Sequence, residues 1–330
     1  PEDGPAWPSP RALGDEMEVT APPRPRDAPP RRPTPRVEEP AGTLTLRRAM
    51  ALALLESPAL EARGWTVRAA EARVLEAGLW SNPELGLEAG EFGGTGDLAG
   101  TDSAEVTLSL AQTFPIGGDR QRRRELAGHR ARLAGWDYEA ARLEVLTDVT
   151  SRYVRALAAQ RRLEVAEQQL DLTEAVLETT RKRFEAGAAA EIELIRARVP
   201  VAESEVRVRR ARRDLDTAHR RLALTWGQRD PRFVAVAGDL DRLREPPPPA
   251  ALSRLIGQTP RVARWATEIS ARRAEAALAR AEAVPDLAGR VGFKRFNEID
   301  ESALVIGVAL PLPLLDRNQS EVLAAKLAGL

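Results

Sequence analysis

Side chains able to do chemistry are scarce in this sequence. His129 and His219 are its two histidines and the first candidates for acid–base work or metal ligation. They lie on separate helical stretches, each among arginines, and are expected on solvated helix faces. No cysteine occurs, which excludes disulfides and thiol chemistry and leaves zinc without its commonest structural ligand. Two methionines and two histidines make no soft-metal relay. Metalloprotease, paired-cysteine, P-loop and nucleophile-elbow patterns are all absent. The glycines from Gly94 through Gly96 to Gly100 lack the flanking buried strand and helix of a nucleotide loop, and are expected to form a hairpin connection. The sequence therefore predicts no catalytic residue, no metal site and no cofactor.

The elements that would position any site are more informative. Aromatic residues make up 4% and charged residues 30% of the 330 residues, the composition of long helices with apolar seams and solvated faces. Basic and acidic residues balance at 49 each, which gives no electrostatic case for nucleic acid. No run approaches the ~20 apolar residues of a membrane helix, and no secretory signal is recognisable. Twelve of the 25 prolines fall within residues 1–40, so residues 1–42 are expected to be a disordered leader.

An internal repeat organises the rest. Ser57-Pro58 and Thr259-Pro260 each read as a hydroxyl N-cap followed by proline at the first helical position. The helices they open stop before Pro83 and Pro285. Pro58 to Pro260 and Pro83 to Pro285 are both separations of 202 residues. After each second proline come two stretches of period-two alternation, the strand signature. Leu85 and Leu87, then Val106, Leu108 and Leu110, alternate with polar or small residues in the first copy. Val291 and Phe293, then Leu304, Ile306, Val308 and Leu310, do so in the second. About ten residues is the length of a tilted membrane strand. Each pair ends in a related phrase, Phe114-Pro115-Ile116-Gly117-Gly118-Asp119 or Leu312-Pro313-Leu314-Leu315-Asp316, in which the aspartate is expected to cap the next helix.

The helix after Asp119 meets no proline before Glu185, a run of 67 residues, or ~100 Å. A turn follows over 185–189, and a second helix runs back to about Trp226. Leu163, Leu170, Leu177 and Phe184 recur every seven residues. So do Leu194, Val201, Val208, Leu215 and Leu222, with small residues between them. That period predicts a left-handed antiparallel coiled coil. With Ala189 at the apex, Phe184 pairs with Leu194, Leu177 with Val201 and Leu170 with Val208. Pro200 is expected to kink the returning arm.

Strand pairs alternating with very long helices, duplicated once, resemble the TolC family of outer-membrane efflux proteins, most of all its CzcC/CusC-like heavy-metal branch. The phrases carrying the resemblance are Leu44-Thr45-Leu46 through Ala53, Glu84-Leu85-Gly86-Leu87 and Gln112-Thr113-Phe114-Pro115-Ile116-Gly117-Gly118. Arg183-Phe184-Glu185-Ala186-Gly187 through Glu193-Leu194 and Pro311-Leu312-Pro313-Leu314-Leu315-Asp316-Arg317 complete it. The resemblance covers residue 43 to the end and implies a homotrimer. Each protomer would give four strands to a 12-stranded outer-membrane barrel and its hairpins to a periplasmic tunnel. Leu85, Leu87, Val106, Leu108, Val291, Phe293, Leu304, Ile306, Val308 and Leu310 would face lipid, with Phe92, Phe114 and Phe296 near an aromatic girdle. Gly187, Ala188, Ala189, Glu191 and Leu194 at the tip would dock a periplasmic adaptor and, through it, an inner-membrane pump of the RND type. The cargo would be metal cations or drugs, and metal as cargo rests on the resemblance alone.

The expected layout is a leader at 1–42, N-terminal helices at 43–82 and a first β-hairpin at 83–114. The long helical hairpin takes 115–226, an equatorial linker 227–249 and the helices of the second repeat 250–284. A second β-hairpin spans 285–312, and 313–330 begins a second long helix. By analogy with residues 119–226 of the first copy, roughly a hundred further residues are expected, as is a separate export signal. A periplasmic adaptor and a structural coiled coil are the alternative readings. The first explains the helical hairpin but not the duplicated strand pairs, and the second treats those pairs as linkers.

Overall fold

A computed structural model describes residues 38–241 and 245–327. In chain order its elements are β1 (Thr43–Leu44), α1 (Leu46–Glu56), α2 (Pro58–Ala77), β2 (Glu84–Gly90) and β3 (Glu105–Phe114). There follow α3 (Asp119–Glu185), α4 (Glu191–Ala223), β4 (Ala235–Val236), α5 (Pro249–Gly257) and α6 (Pro260–Ala281). The chain continues with β5 (Leu287–Phe296), β6 (Glu301–Ala309) and α7 (Gln319–Leu327). It forms two compact units. One takes Thr66–Trp136 and the residues from Arg261 on; the other takes the described residues up to Trp65 and Asp137–Pro260. We call them the sheet unit and the hairpin unit.

The hairpin unit is built on an antiparallel helix pair, α3 from Asp137 onward and the whole of α4. Along α4 and the 3-10 turn Leu224–Trp226 that extends it, Leu194, Ala197, Val201, Ser204, Val208, Ala211, Leu215, Ala218, Leu222 and Thr225 are all buried or half-buried. Leu163, Leu170 and Leu177 are half-buried on α3, while Phe184 near the tip is exposed. Arg212 reaches Glu167 across the pair at 3.0 Å, within one residue of the expected register. α4 runs through Pro200 without a break, so the proline costs one backbone hydrogen bond but does not end the helix.

At the base of this pair lies the main core: Leu44, Leu52 and Ala53, Val149, Tyr153 and Ala156, Leu222 and Trp226, then Phe233 and Val236. Burial of each large apolar side chain there is worth ~1.5–3 kcal/mol. β1 and β4 pair in parallel, Thr43 opposite Ala235 and Leu44 opposite Val236. The Tyr153 hydroxyl lies 2.8 Å from the Leu44 carbonyl oxygen and 2.5 Å from that of Ala237, so it ties both strands to α3. Two-residue strands are invisible to a period-two search, and none was expected here.

The leader expected at 1–42 lies outside the described residues as far as 37, but its last residues are fastened down. Glu39 accepts hydrogen bonds from the Trp226 indole (3.3 Å) and the backbone amide of Arg232 (2.6 Å). The Glu38 carbonyl accepts from the Arg48 guanidinium at 2.7 Å.

In the sheet unit, β2-β3-β5-β6 form one antiparallel sheet. Leu126 packs on Ala271 and Ala274, with Leu133 and Leu278 beside them, and the Trp136 indole donates to Thr267 Oγ1 at 3.0 Å. Gly117 allows the end of α6 close in: a Cβ there would lie 2.4 Å from the Ala281 carbonyl oxygen. The Thr259 hydroxyl donates back to the Ile256 carbonyl at 2.8 Å. One expected cap is corrected. Asp316 accepts from the Asn318 amide at 2.9 Å, and the helix starts only at Gln319, because Asn318 takes the left-handed conformation (φ 58°).

Candidate membrane face and hairpin tip

Directly opposed residues on adjacent strands share a face of a sheet, so the register fixes which side chains stand together. Leu85 lies opposite Leu110 and Leu87 opposite Leu108; Leu108 then faces Phe293, and Leu110 faces Val291. Val291 continues to Ile306 and Phe293 to Leu304. Val106 and Val308 have the same parity, as does Leu310 just beyond β6. All ten residues expected to face lipid therefore fall on one side, and nothing in the unit covers them: Leu85 is 75%, Ile306 74% and Leu108 49% exposed.

The other side carries Glu84, Glu88, Thr107, Ser109, Arg290 and Lys294, with Lys294 ion-paired to Glu105. β2 and β6 each have one edge without a strand partner among the described residues. An open edge is not tolerated in hydrocarbon, where every backbone amide needs an internal partner. Of the girdle candidates, Phe114 packs edge-on to Trp80, with ring centroids 6.3 Å apart.

At the tip, Gly187 adopts φ +72°, a conformation that glycine enters without the Cβ penalty. Its amide donates to Phe184 O at 2.9 Å, and that of Ala188 to Arg183 O at 2.8 Å. This paired closure is the Schellman motif. Ala190 starts α4 with no side-chain cap, while Glu191 and Glu193 sit in its first turn, complementing the helix dipole. Gly187, Ala188 and Glu191 are exposed, whereas Leu194 is half-buried on the seam.

Two groups of exposed residues escaped the sequence reading. Ile192 and Ile195 are half exposed beside the tip and begin a second heptad stripe continued by Val199 and Val206; their three- and four-residue spacing was the available signal. Trp80 is 52% exposed, with the Arg120 guanidinium 4.5 Å from its ring centroid. No pattern marks Trp80, which lies between helix and strand.

The histidines need a correction. His129 is half-buried with Arg132 at 3.2 Å. His219, expected on a solvated face, is buried at 6% exposure and stands edge-on to Phe233 at 4.9 Å. Burial pushes its pKa below the ordinary histidine value, and the nearby Asp216 charge offsets part of that. Its Nε2 has no hydrogen-bond partner, as suits an aromatic packing role. Among the described residues, no cluster of three or more His, Cys, Asp or Glu side chains is arranged to hold a metal ion.

Residues 49–228 match the outer membrane efflux protein family. The cobalt-zinc-cadmium resistance protein CzcC of Cupriavidus metallidurans is 30% identical over 87% of this chain and 67% of its own length. The chain belongs to the outer membrane efflux protein family. The nickel-cobalt-cadmium resistance protein NccC of Alcaligenes xylosoxydans is 25% identical over 87% of the chain. The chain covers 64% of NccC, and thus about two thirds of the length of these efflux-family relatives. A crystal structure of CusC superposes with a TM-score of 0.68 at 19% identity, covering 86% of this chain and 69% of CusC. The Campylobacter jejuni outer-membrane channel CmeC gives 0.65 at 17% identity, over 86% and 65%. The fold, long helices with an antiparallel sheet, is thus that of the outer membrane efflux channels.

Proposed function

We propose that this chain is the outer-membrane channel component of a tripartite efflux system. Three copies would close their four-stranded sheets into a 12-stranded barrel, with the helical hairpins extending into the periplasm. The channel is passive: it conducts what an inner-membrane pump, of the RND type, and a periplasmic adaptor deliver, and makes or breaks no bond. Metal cations are the cargo suggested by the names of CzcC and NccC. Gly187, Ala188, Ala189, Glu191 and Leu194 mark the tip at which the adaptor docks, with Ile192 and Ile195 adding apolar contact area.

One observation carries this reading. Ten apolar side chains drawn from both repeats stand on one exposed face of a sheet whose two outer edges lack partners. A water-soluble adaptor or a plain coiled coil gives that face no purpose.

The test is expression behind an export signal, followed by membrane fractionation and gel electrophoresis of heated and unheated samples. The expected outcome is an outer-membrane species that runs as a trimer unheated and as a monomer after boiling. A detergent-free soluble monomer would sink the barrel.

A further inference from the structure

The edges of the four-stranded sheet are β2 and β6. Closing three copies into one barrel sets β6 of one copy beside β2 of the next, antiparallel to it. Aliphatic alternation alone does not fix how those two edges align. On β6, Leu304, Ile306 and Val308 alternate with Ala303, Val305 and Gly307. On β2, Leu85, Leu87 and Ala89 alternate with Glu84, Gly86 and Glu88. A slip of one residue would turn the aliphatic set to the wrong face. A slip of two leaves aliphatic against aliphatic, so the choice among such registers falls to the water side.

That side holds a device suited to it. Strand pairing puts Glu84, Ala111, Arg290 and Gly307 in one row across β2, β3, β5 and β6. Lys294, the other cation of β5, is already ion-paired to Glu105 within the chain. Arg290, Glu84 and Glu88 are exposed, and none of them is ion-paired to another described residue. Arg290 does not pair with its own Glu84, two strands away across Ala111. Its side chain runs beside β6 instead: a Cβ added to Gly307 would lie 3.8 Å from the Arg290 Nε. The missing side chain at Gly307 leaves that path open toward the β6 edge.

We propose that Arg290 reaches over Gly307 to pair with a β2 glutamate of the neighbouring copy, Glu84 or Glu88, and that three such pairs key the strand register between protomers. Charge complementarity names a second copy as the occupant, because the free cation leans to the β6 edge and the free carboxylates stand on the β2 edge. From β5 across β6 to the neighbouring β2 is two strand spacings, ~9–10 Å, which an arginine and a glutamate leaning together can span. An exposed ion pair adds little stability by itself; its effect here is to separate registers that the apolar face leaves equivalent. The inference rests on the barrel reading proposed above and adds which residues join the copies.

The test uses the whole chain expressed behind an export signal. Arg290→Glu reverses three pairs at once and is expected to lower the unheated trimer on the order of ten-fold. Combining it with Glu84→Arg or with Glu88→Arg should restore the trimer in one of the two cases. Arg290→Lys keeps the charge and gives a carbodiimide an amine to join to the paired carboxylate. Boiled gels of that variant should show covalent dimers and trimers that the Arg290 protein lacks and that Glu84→Gln or Glu88→Gln removes. Wild-type trimer levels in Arg290→Glu overturn the proposal and leave the barrel standing. So does a loss that neither exchange restores, and so do carbodiimide products no larger than a monomer, which would put the pair within one chain. Absence of any trimer from the unaltered chain would instead defeat the barrel reading itself.

Discussion

His219 sits where a proton is poorly tolerated: buried, against the Phe233 ring, with Nε2 unpartnered. Its folded pKa lies below that of the unfolded chain, mainly through desolvation. The neutral ring is therefore the form the fold accepts. Its contribution is fully present above the unfolded value of ~6.5. It is lost as pH falls below that value toward the depressed folded one, because there the unfolded chain binds more protons. Denaturant titrations at pH 7.5 and pH 5 should show a stability loss in the wild type that His219→Phe reduces. An equal loss in both proteins would mean that other groups carry the acid sensitivity. The sequence put this ring on a solvated face because arginines surround it in the chain; the Phe233 segment that covers it returns from beyond the helix.

At the scale of elements, the seam was the most legible feature, because a seven-residue period survives packing without outside help. Leu163 to Leu177 and Leu194 to Leu222 follow it. Phe184 departs only where the hairpin runs out of partner near Gly187. The four strands were equally readable from period-two alternation, and the face assigned from alternation agrees with the face set by register. What escaped was what lacks a period: the β1–β4 pair, the grip of Glu39 on Trp226 and Arg232, and Trp80 with Arg120. The cap at Asp316 was misread because Asn318 supplies a left-handed residue that no motif announced. The register of the hairpin can be checked directly. Oxidation of a Leu177→Cys/Val201→Cys pair should close a cross-link efficiently, whereas Leu177→Cys/Ala197→Cys, one helical turn out of step, should not. Preferred closure of the shifted pair would reject an apex at Ala189.

At the scale of the whole molecule, the two sides of the sheet should respond oppositely to the same charge. Leu108→Arg places a cation in the middle of the apolar face, where an outer-membrane barrel loses ~2–4 kcal/mol. Thr107→Arg, one residue away, points to the polar side. Outer-membrane yield and the amount of unheated trimer should fall sharply for the first and stay near wild type for the second; equal yields would deny the two-sidedness of the sheet. The short parallel clamp between Leu44 and Val236 has a different kind of consequence, for the order of events as the chain is made. Local pairings such as α3 with α4 form from whatever has already emerged, but the clamp must wait for almost two hundred intervening residues. Joining ends that far apart carries an entropic cost on the order of 5 kcal/mol, repaid only when the Tyr153 hydroxyl and the Trp226 core are already in place. The hairpin is therefore the early event and the sealing of its base the late one. Until residue 237 has been made, Leu44 and its neighbours remain exposed apolar chain, the condition in which partly folded chains aggregate.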